Sequence, residues 1–252
     1  MRNGVPQIRA TSRTLAMLEA VIADGGRQSI AALARANGVP VATAHRQVAT
    51  LVGEGYLALS GDGRHLPGPR LLGLLHRLDE KQVIASVAAP LLDELARDLR
   101  CTVQLGTFEN EMVTYRIKTG SGADGLFTRV GMQLEAYCSA IGKVLLAHLP
   151  GGERSGYLAN GPFVPLTPRT IVDPGELAGE LAKVRAQGFA IDDGEIDEGL
   201  ICLAVPVRNP EARVPAAISV SQIEGDPARV PHERLLPALR ETADAIERAA
   251  FG

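Results

Sequence analysis

At 252 residues, 46% of them apolar and 22% charged, the chain has the make-up of an ordinary globular protein and the length for one large domain or two modest ones. No apolar run approaches the roughly 18 residues that cross a bilayer, so a membrane partner is not expected. The net charge of −3 conceals an asymmetry, because residues 1–80 hold nine Arg, no Lys and six acids while the remainder holds 17 bases and 23 acids, the pattern of a mildly basic front on an acidic body.

The first element is a helix from Ser12 to Asp24, with Leu15, Leu18 and Ile22 on one face and Gly25-Gly26 ending it. Its apolar stretch, Leu15 to Ile22, contains Glu19, which suits an amphipathic helix rather than a signal peptide, and the expected location is cytoplasmic. A short helix follows from Ser29, a suitable N-cap, through Ile30, Leu33 and Ala34 to Asn37. Gly38-Val39 makes a tight turn, Pro40 suits a first helical position, and a third helix runs to about Glu54. Two short helices across such a turn form the helix-turn-helix pattern, whose second member enters the DNA major groove. Tyr56–Leu59, the Asp62-Gly63 turn signal and Arg64-His65-Leu66 then predict a hairpin, which after a recognition helix is a wing.

At 100° per residue the third helix sorts into two faces. Val41, Ala44, Val48, Leu51 and Val52 point to the domain core, and Ala42, Thr43, Arg46 and Thr50 point away, with Gln47 on the shoulder and His45 on the core flank. The expected partner is double-stranded operator DNA. Arg46 suits a guanine edge or a phosphate, Thr43 a thymine methyl or a phosphate, and Arg64 a phosphate or the minor groove. For His45, base readout and a packed or phosphate-adjacent position are both open.

From Pro69 a leucine-rich stretch continues to Leu78, and a second, broken near Pro90, carries Leu91, Leu92, Leu95 and Leu99. These read as linker helices over 69–100 between a DNA-binding domain at 1–68 and a second domain at 101–252, with plain core helices as the alternative. Self-association as a dimer or tetramer is expected, because winged helices of this kind usually read two half-sites.

Beyond Thr102 the periodicity changes. Thr102–Phe108 and Met112–Lys118 alternate like strands around the turn Glu109-Asn110-Glu111, and a helix spans Ala140 to His148. A helix from Glu176 to Gln187 follows, then strands at Phe189–Asp192, Leu200–Val207 and Val214–Ser221, and a last helix from about Pro231 to Ala250. The class is α+β, built on an antiparallel sheet. Cys101, Cys138 and Cys202 are odd in number and widely spaced, which suggests neither a disulfide framework nor a zinc site.

Residue types offer two rival functions. An enzyme would combine Cys138, His148 and Asp192 as nucleophile, base and orienter, yet no nucleophile signature, Gly-rich phosphate loop or HExxH motif is present. A metal-responsive regulator would use the acidic loop 192–198, which lacks calcium-loop spacing and a nearby His and reads as a solvated, Gly-hinged loop. Neither catalytic residues, a metal nor a cofactor is expected.

The stretch SIAALARANGVPVATAHRQVATLVGEGYL resembles the DNA-binding domain of IclR-family transcriptional regulators, keeping Pro40, Thr43, Ala44, His45, Arg46, Leu51, Gly55, Tyr56 and Leu57. It departs at Val41 and Ala42, where many relatives carry Lys and Ser, so one phosphate-binding charge and one hydroxyl are missing from the helix start. The blocks VGMQLEAYCSAIGKVLLAHL, GFAIDDGEIDEGLICLAVPV and VPAAISVS extend the likeness over nearly the whole chain. The resemblance implies a GAF-like sensor domain binding a small organic or aromatic acid. It assigns the pocket to Leu126, Leu134, Ala140, Ile141, Asp192, Leu200, Cys202, Ser219 and Ser221. Elementary chemistry is compatible with this: amides at a helix start favour an anion, alternate serines on a strand share a face, and leucines supply apolar walls. Tyr137 and Cys138 are placed to adjust the pocket's size or polarity.

Overall fold

Residues 8–121 and 125–252 are described in the computed structural model, and they divide between two units, 1–78 and 79–252. The first seven residues of the chain lie outside the described residues.

The first unit opens with α1 (Arg9–Asp24), α2 (Ile30–Ala36) and α3 (Val41–Gly53). Gly25 ends α1 in the left-handed region, at φ 63°, where a side chain would be strained. Ser29 caps α2, its Oγ accepting from the Ala32 amide at 3.2 Å. The buried face of α1 is Met17 and Val21, whereas Leu15 is 52% and Ile22 37% exposed. The expected stripe is therefore wrong by a fraction of a turn. This helix is apolar on several adjacent positions, so periodicity offers two stripes, and packing in the three-helix core chooses between them. Pro40 is the N-cap of α3 rather than its first helical residue. The strands β1 (Leu57–Leu59) and β2 (His65–Pro67) pair antiparallel, Leu59 opposite His65, and close the wing. The short helix α4 (Pro69–Leu75) buries none of its side chains within this unit, and Leu72 and Leu75 are more than half exposed.

The second unit begins with α5 (Glu80–Leu99), capped by Asp79, whose Oδ1 accepts from the Lys81 and Gln82 amides at 3.0 and 3.3 Å. The helix passes through Pro90 without a break, contrary to expectation. Its apolar face, including Ile84, Leu92 and Leu95, is long enough to hold it against the second unit's core despite the lost backbone bond.

After α5 come β3 (Thr102–Glu109) and β4 (Met112–Thr119), whose turn places Asn110 at φ 51° and Glu111 at φ 65°, the primed geometry that matches strand twist. There follow β5 (Gln133–Glu135), α6 (Ala140–His148), α7 (Gly151–Leu158), α8 (Pro174–Gln187), β6 (Ala190–Asp193), β7 (Leu200–Val207), β8 (Ala216–Ile223) and α9 (His232–Phe251). The strands form one six-stranded antiparallel sheet in the order β5-β4-β3-β8-β7-β6. Strand alternation divides the core. Leu203, Val205, Ile218 and Val220 face α5 and α9, while Leu200, Cys202, Ala204 and Ala217 face α6 and α8. The short β5 and α7 carry too few apolar residues to stand out in the sequence.

Candidate functional site

On α3 the residues Ala44, Val48 and Leu51 are buried in the small core. Ala42, Arg46 and Thr50 are exposed, and Thr43 and Gln47 are half-buried on the shoulders. His45, expected on the core flank, is exposed, as is Val41. The small core of this unit, drawn from α1, α2, α3 and Leu57, does not extend to His45. Thr50 donates its hydroxyl to the Arg46 carbonyl at 2.9 Å, which leaves the hydroxyl turned along its own helix. Arg46 makes no ion pair among the described residues and stands as an uncompensated positive charge on the exposed face. Arg64 pairs with Asp62 at 3.0 Å within the hairpin turn, an exposed contact easily exchanged for a phosphate. These side chains suit the backbone and groove contacts of a winged helix.

The larger unit holds a cavity on the inner face of its sheet. Register builds it: Asp192 lies opposite Cys202, Cys202 opposite Ser221, and Ser219 opposite Gln104, so one polar patch spans β6, β7, β8 and β3. The start of α6 closes the cavity from above. Ser139 caps that helix, accepting from the Gly142 amide at 3.1 Å. Gly142 is required there, because a Cβ would stand 2.1 Å from the Ala136 carbonyl oxygen. Of the nine residues assigned by resemblance, Leu126, Ala140, Ile141, Asp192, Leu200, Cys202, Ser219 and Ser221 all line this cavity. Leu134 does not; it sits on β5 opposite Val113 and packs against the apolar core cluster that includes Ile141. Tyr137 and Cys138 likewise belong to that core. The free interior is only about 10 Å³, room for about one water molecule.

Polar residues absent from the sequence-based set complete the lining. Gln104 and Thr128 are buried, and Gln104 donates through Nε2 to Thr128 Oγ1 at 2.7 Å. The loop carrying Thr128 is tied down further by Lys118, whose Nζ reaches the carbonyls of Leu126 and Thr128 at 2.8 and 2.5 Å. Tyr115 and Ile196 add apolar wall. A lone Gln inside an apolar strand was the available signal for Gln104.

The acidic loop is not uniformly solvated, which corrects the sequence reading. Asp192 and Glu195 are buried, whereas Asp193, Asp197 and Glu198 are exposed. Glu195 pairs with Lys143, a fully buried lysine on α6 that also approaches Glu180 at 3.8 Å. Asp192 Oδ1 accepts from the Glu195 amide at 2.8 Å, while Oδ2 is buried with no partner. Burial pushes the Asp192 carboxyl up to about 7; the Glu195 carboxylate adds to the effect, and two backbone amides and Lys143 oppose it. Among the described residues no cluster of His, Cys, Asp or Glu could hold a metal ion.

The Cys138–His148 pair of the enzyme alternative is not formed. Burial pushes the Cys138 and Cys202 thiols well up, so neither is a ready thiolate. His148 Nδ1 contacts the Val144 carbonyl of its own helix at 2.8 Å, and no hydrogen bond joins His148 to Cys138. Among the described residues no helix is long and apolar enough to cross a membrane.

Comparison with known proteins gives the same partition. Residues 10–60 match the description "IclR helix-turn-helix domain", and residues 76–248 match "Bacterial transcriptional regulator IclR C-terminal". The chain is 30% identical over 244 residues to the Pca regulon regulatory protein of Pseudomonas putida, covering 96% of this chain and 84% of that one. It resembles the crystal structure of the Agrobacterium tumefaciens repressor BlcR with a TM-score of 0.71 and 30% identity, over 96% of this chain and 97% of that one. It also resembles an IclR homologue from Microbacterium hydrocarbonoxydans solved with 4-hydroxybenzoate, with a TM-score of 0.62 and 29% identity, over 96% and 98% of the two chains. Such relatives are named as regulators rather than enzymes.

Proposed function

The chain belongs to the IclR family of transcriptional regulators, carrying its helix-turn-helix and its C-terminal domain, and from that membership we propose that operator binding is modulated by a small organic acid held in the inner cavity. The observation that carries this reading is the patch of Asp192, Cys202, Ser219, Ser221 and Gln104 beneath the start of α6. Hydroxyls and helix-start amides are donors suited to a carboxylate, and Ile141 and Leu200 offer apolar contact to the rest of the acid. The solved relative containing 4-hydroxybenzoate supports an aromatic acid as the first class to test.

Entry of such a molecule requires the cavity to open, since its interior is nearly filled. Binding energy would then be drawn on to separate side chains now bonded to each other, which makes occupancy and conformation two sides of one equilibrium. Operator contact is assigned to Ala42, Thr43, His45, Arg46, Gln47 and Thr50 on α3 and to Arg64 in the wing. The protein would act as a dimer or tetramer in the cytoplasm, each winged helix reading one half-site.

The test is a thermal-shift screen with small carboxylic and aromatic acids, 4-hydroxybenzoate among them, followed by operator titration with and without the acid that binds. Stabilisation by an acid together with a changed operator affinity supports the reading. Stabilisation that leaves operator affinity and footprint unchanged removes the coupling.

A further inference from the structure

The outer face of the sheet carries a second cavity. Helices α5 and α9 cover most of that face, but α9 starts only at His232 and leaves the corner made by the ends of β6, β7 and β8 open. The space there amounts to about 420 Å³, against about 10 Å³ for the inner cavity, so it has room for the body of a small molecule. Its floor is apolar, with Ile201, Leu203 and Val220 presented by strand alternation.

The polar rim is sorted by charge. On one side Asp193 and Glu224 share Arg169, at 3.3 and 3.7 Å. On the other, Arg229 has no side-chain partner among the described residues. Beside it His232 stands edge-on to Phe189, with its Nε2 buried and unpartnered. Gln222 is not available to a ligand, because both ends of its amide are committed to Val230, at 2.9 and 3.4 Å. The groups left without partners are thus the Arg229 guanidinium on the rim and the His232 imidazole nitrogen buried behind the lining, next to the uncapped first turn of the 20-residue α9. A buried nitrogen with no partner is uncommon in a folded protein and calls for an occupant that supplies one.

The geometry points to a second acid-binding site in this cavity, for a small monocarboxylate with an apolar body: the carboxylate meets Arg229 and, once the His232 ring turns toward the cavity, its Nε2–H, and the body lies on Ile201, Leu203 and Val220. This site is distinct from the inner cavity, on the opposite face of the sheet, and does not depend on the function proposed above. A charge-assisted contact to Arg229 and a newly satisfied imidazole favour the anion, while the acids across the rim are already engaged by Arg169.

Titration of the methyl-labelled full-length protein with benzoate, and with neutral benzamide, tests the assignment by NMR. Ile201 and Leu200 are neighbours on β7 that face opposite sides of the sheet, so their methyl groups report the two cavities separately. The expected result is a saturable shift of the Ile191 and Ile201 methyls with benzoate, about tenfold weaker with benzamide. Replacing Arg229 and His232 together with Ala should weaken that response by about tenfold, leaving Leu200 and Ile141 as in the native protein. The site is overturned if benzoate at about 10 mM, enough to half-fill a very weak site, moves neither Ile191 nor Ile201. Equal binding of benzamide, or a response of Ile201 to protein concentration alone, which would make a second copy the occupant, also overturns it. Shifts confined to Leu200 and Ile141 keep the inner-cavity reading and remove this one; shifts confined to Ile191 and Ile201 support this site and show that the inner cavity does not take benzoate.

Discussion

The Ser221 hydroxyl donates to the side-chain oxygen of Gln104 at 3.2 Å, joining residues 117 positions apart in the chain. The contact extends in both directions. Cys202 Sγ lies 3.2 Å from Ser221 Oγ, and Gln104 Nε2 continues to Thr128 in the loop over the cavity. Each member is buried, so each depends on the next for its hydrogen bond.

Removing one link should therefore cost more than one weak bond. Ser221→Ala strands the Gln104 oxygen, and urea unfolding should show a loss of about 1–3 kcal/mol. Combining it with Gln104→Leu should cost less than the sum of the two single changes, by about 1 kcal/mol. Strict additivity would show that the two side chains do not act together.

Backbone contact at the start of α6 predicts a larger effect. A methyl at position 142 would meet the Ala136 carbonyl at 2.1 Å, and neither partner is a flexible side-chain end. Gly142→Ala should lower stability by about 3 kcal/mol or more in thermal melting. Gly179→Ala on α8, where a Cβ meets nothing within 4 Å, should stabilise by about 0.4–1 kcal/mol and serves as the control.

Stability should fall with rising pH through the Asp192 carboxyl. Its pKa is about 7 in the folded protein against 3.8 as the ordinary value, so between these the native state holds a proton that the unfolded chain has released. Its contribution is complete below about pH 4 and is lost as pH rises to about 7, with a ceiling on the order of 4 kcal/mol. Asp192→Asn should flatten this slope in urea unfolding measured across the window. An unaltered slope would assign the proton elsewhere.

The cluster joining α5 to the β3–β4 hairpin should have the opposite pH signature. Burial raises the Glu109 carboxyl, but Arg116 and Lys81 outweigh it and hold the group down to about 2, with Lys81 Nζ at 3.1 Å. A depressed carboxylate stabilises above the ordinary value of 4.5, and this is lost as pH falls toward 2. Glu109→Gln should cost roughly 1–2 kcal/mol at neutral pH, and the difference from the native protein should narrow when the measurement is repeated near pH 3.

On DNA, Arg46→Ala should weaken operator binding by about 1–3 kcal/mol if the guanidinium reads a base, with relaxed preference at that position. If it grips a phosphate, binding should weaken for all sequences and the salt dependence should become shallower by about one charge. The side chain is exposed and unpaired, so the melting temperature should stay within a degree or two of native. Unchanged affinity in a band-shift titration would remove Arg46 from the interface.

Much of the architecture was legible because it follows from local rules. The Ser29 cap, the helix-turn-helix spacing, the Asp62-Gly63 hairpin, the bounds of α6 and β7 and the shared face of Ser219 and Ser221 each depend on neighbours within a turn or a strand. The helix-turn-helix and hairpin pattern pointed to a DNA-binding front, its mild positive charge being slight support, and the longer blocks to the family.

Other features required the chain to fold. Which stripe of α1 is buried, that α5 runs on through Pro90, and that Leu134 is not part of the cavity lining were all decided by packing between distant elements. The same holds for the burial of Lys143 with Glu195, 52 positions away, and for the meeting of Gln104 with Ser221. Sequence thus determined the two-part regulator and the basic, exposed face of its recognition helix. Tertiary structure decided which polar groups share the cavity and which charges are left without partners, because strand register is set by packing across the whole sheet and no local pattern encodes it.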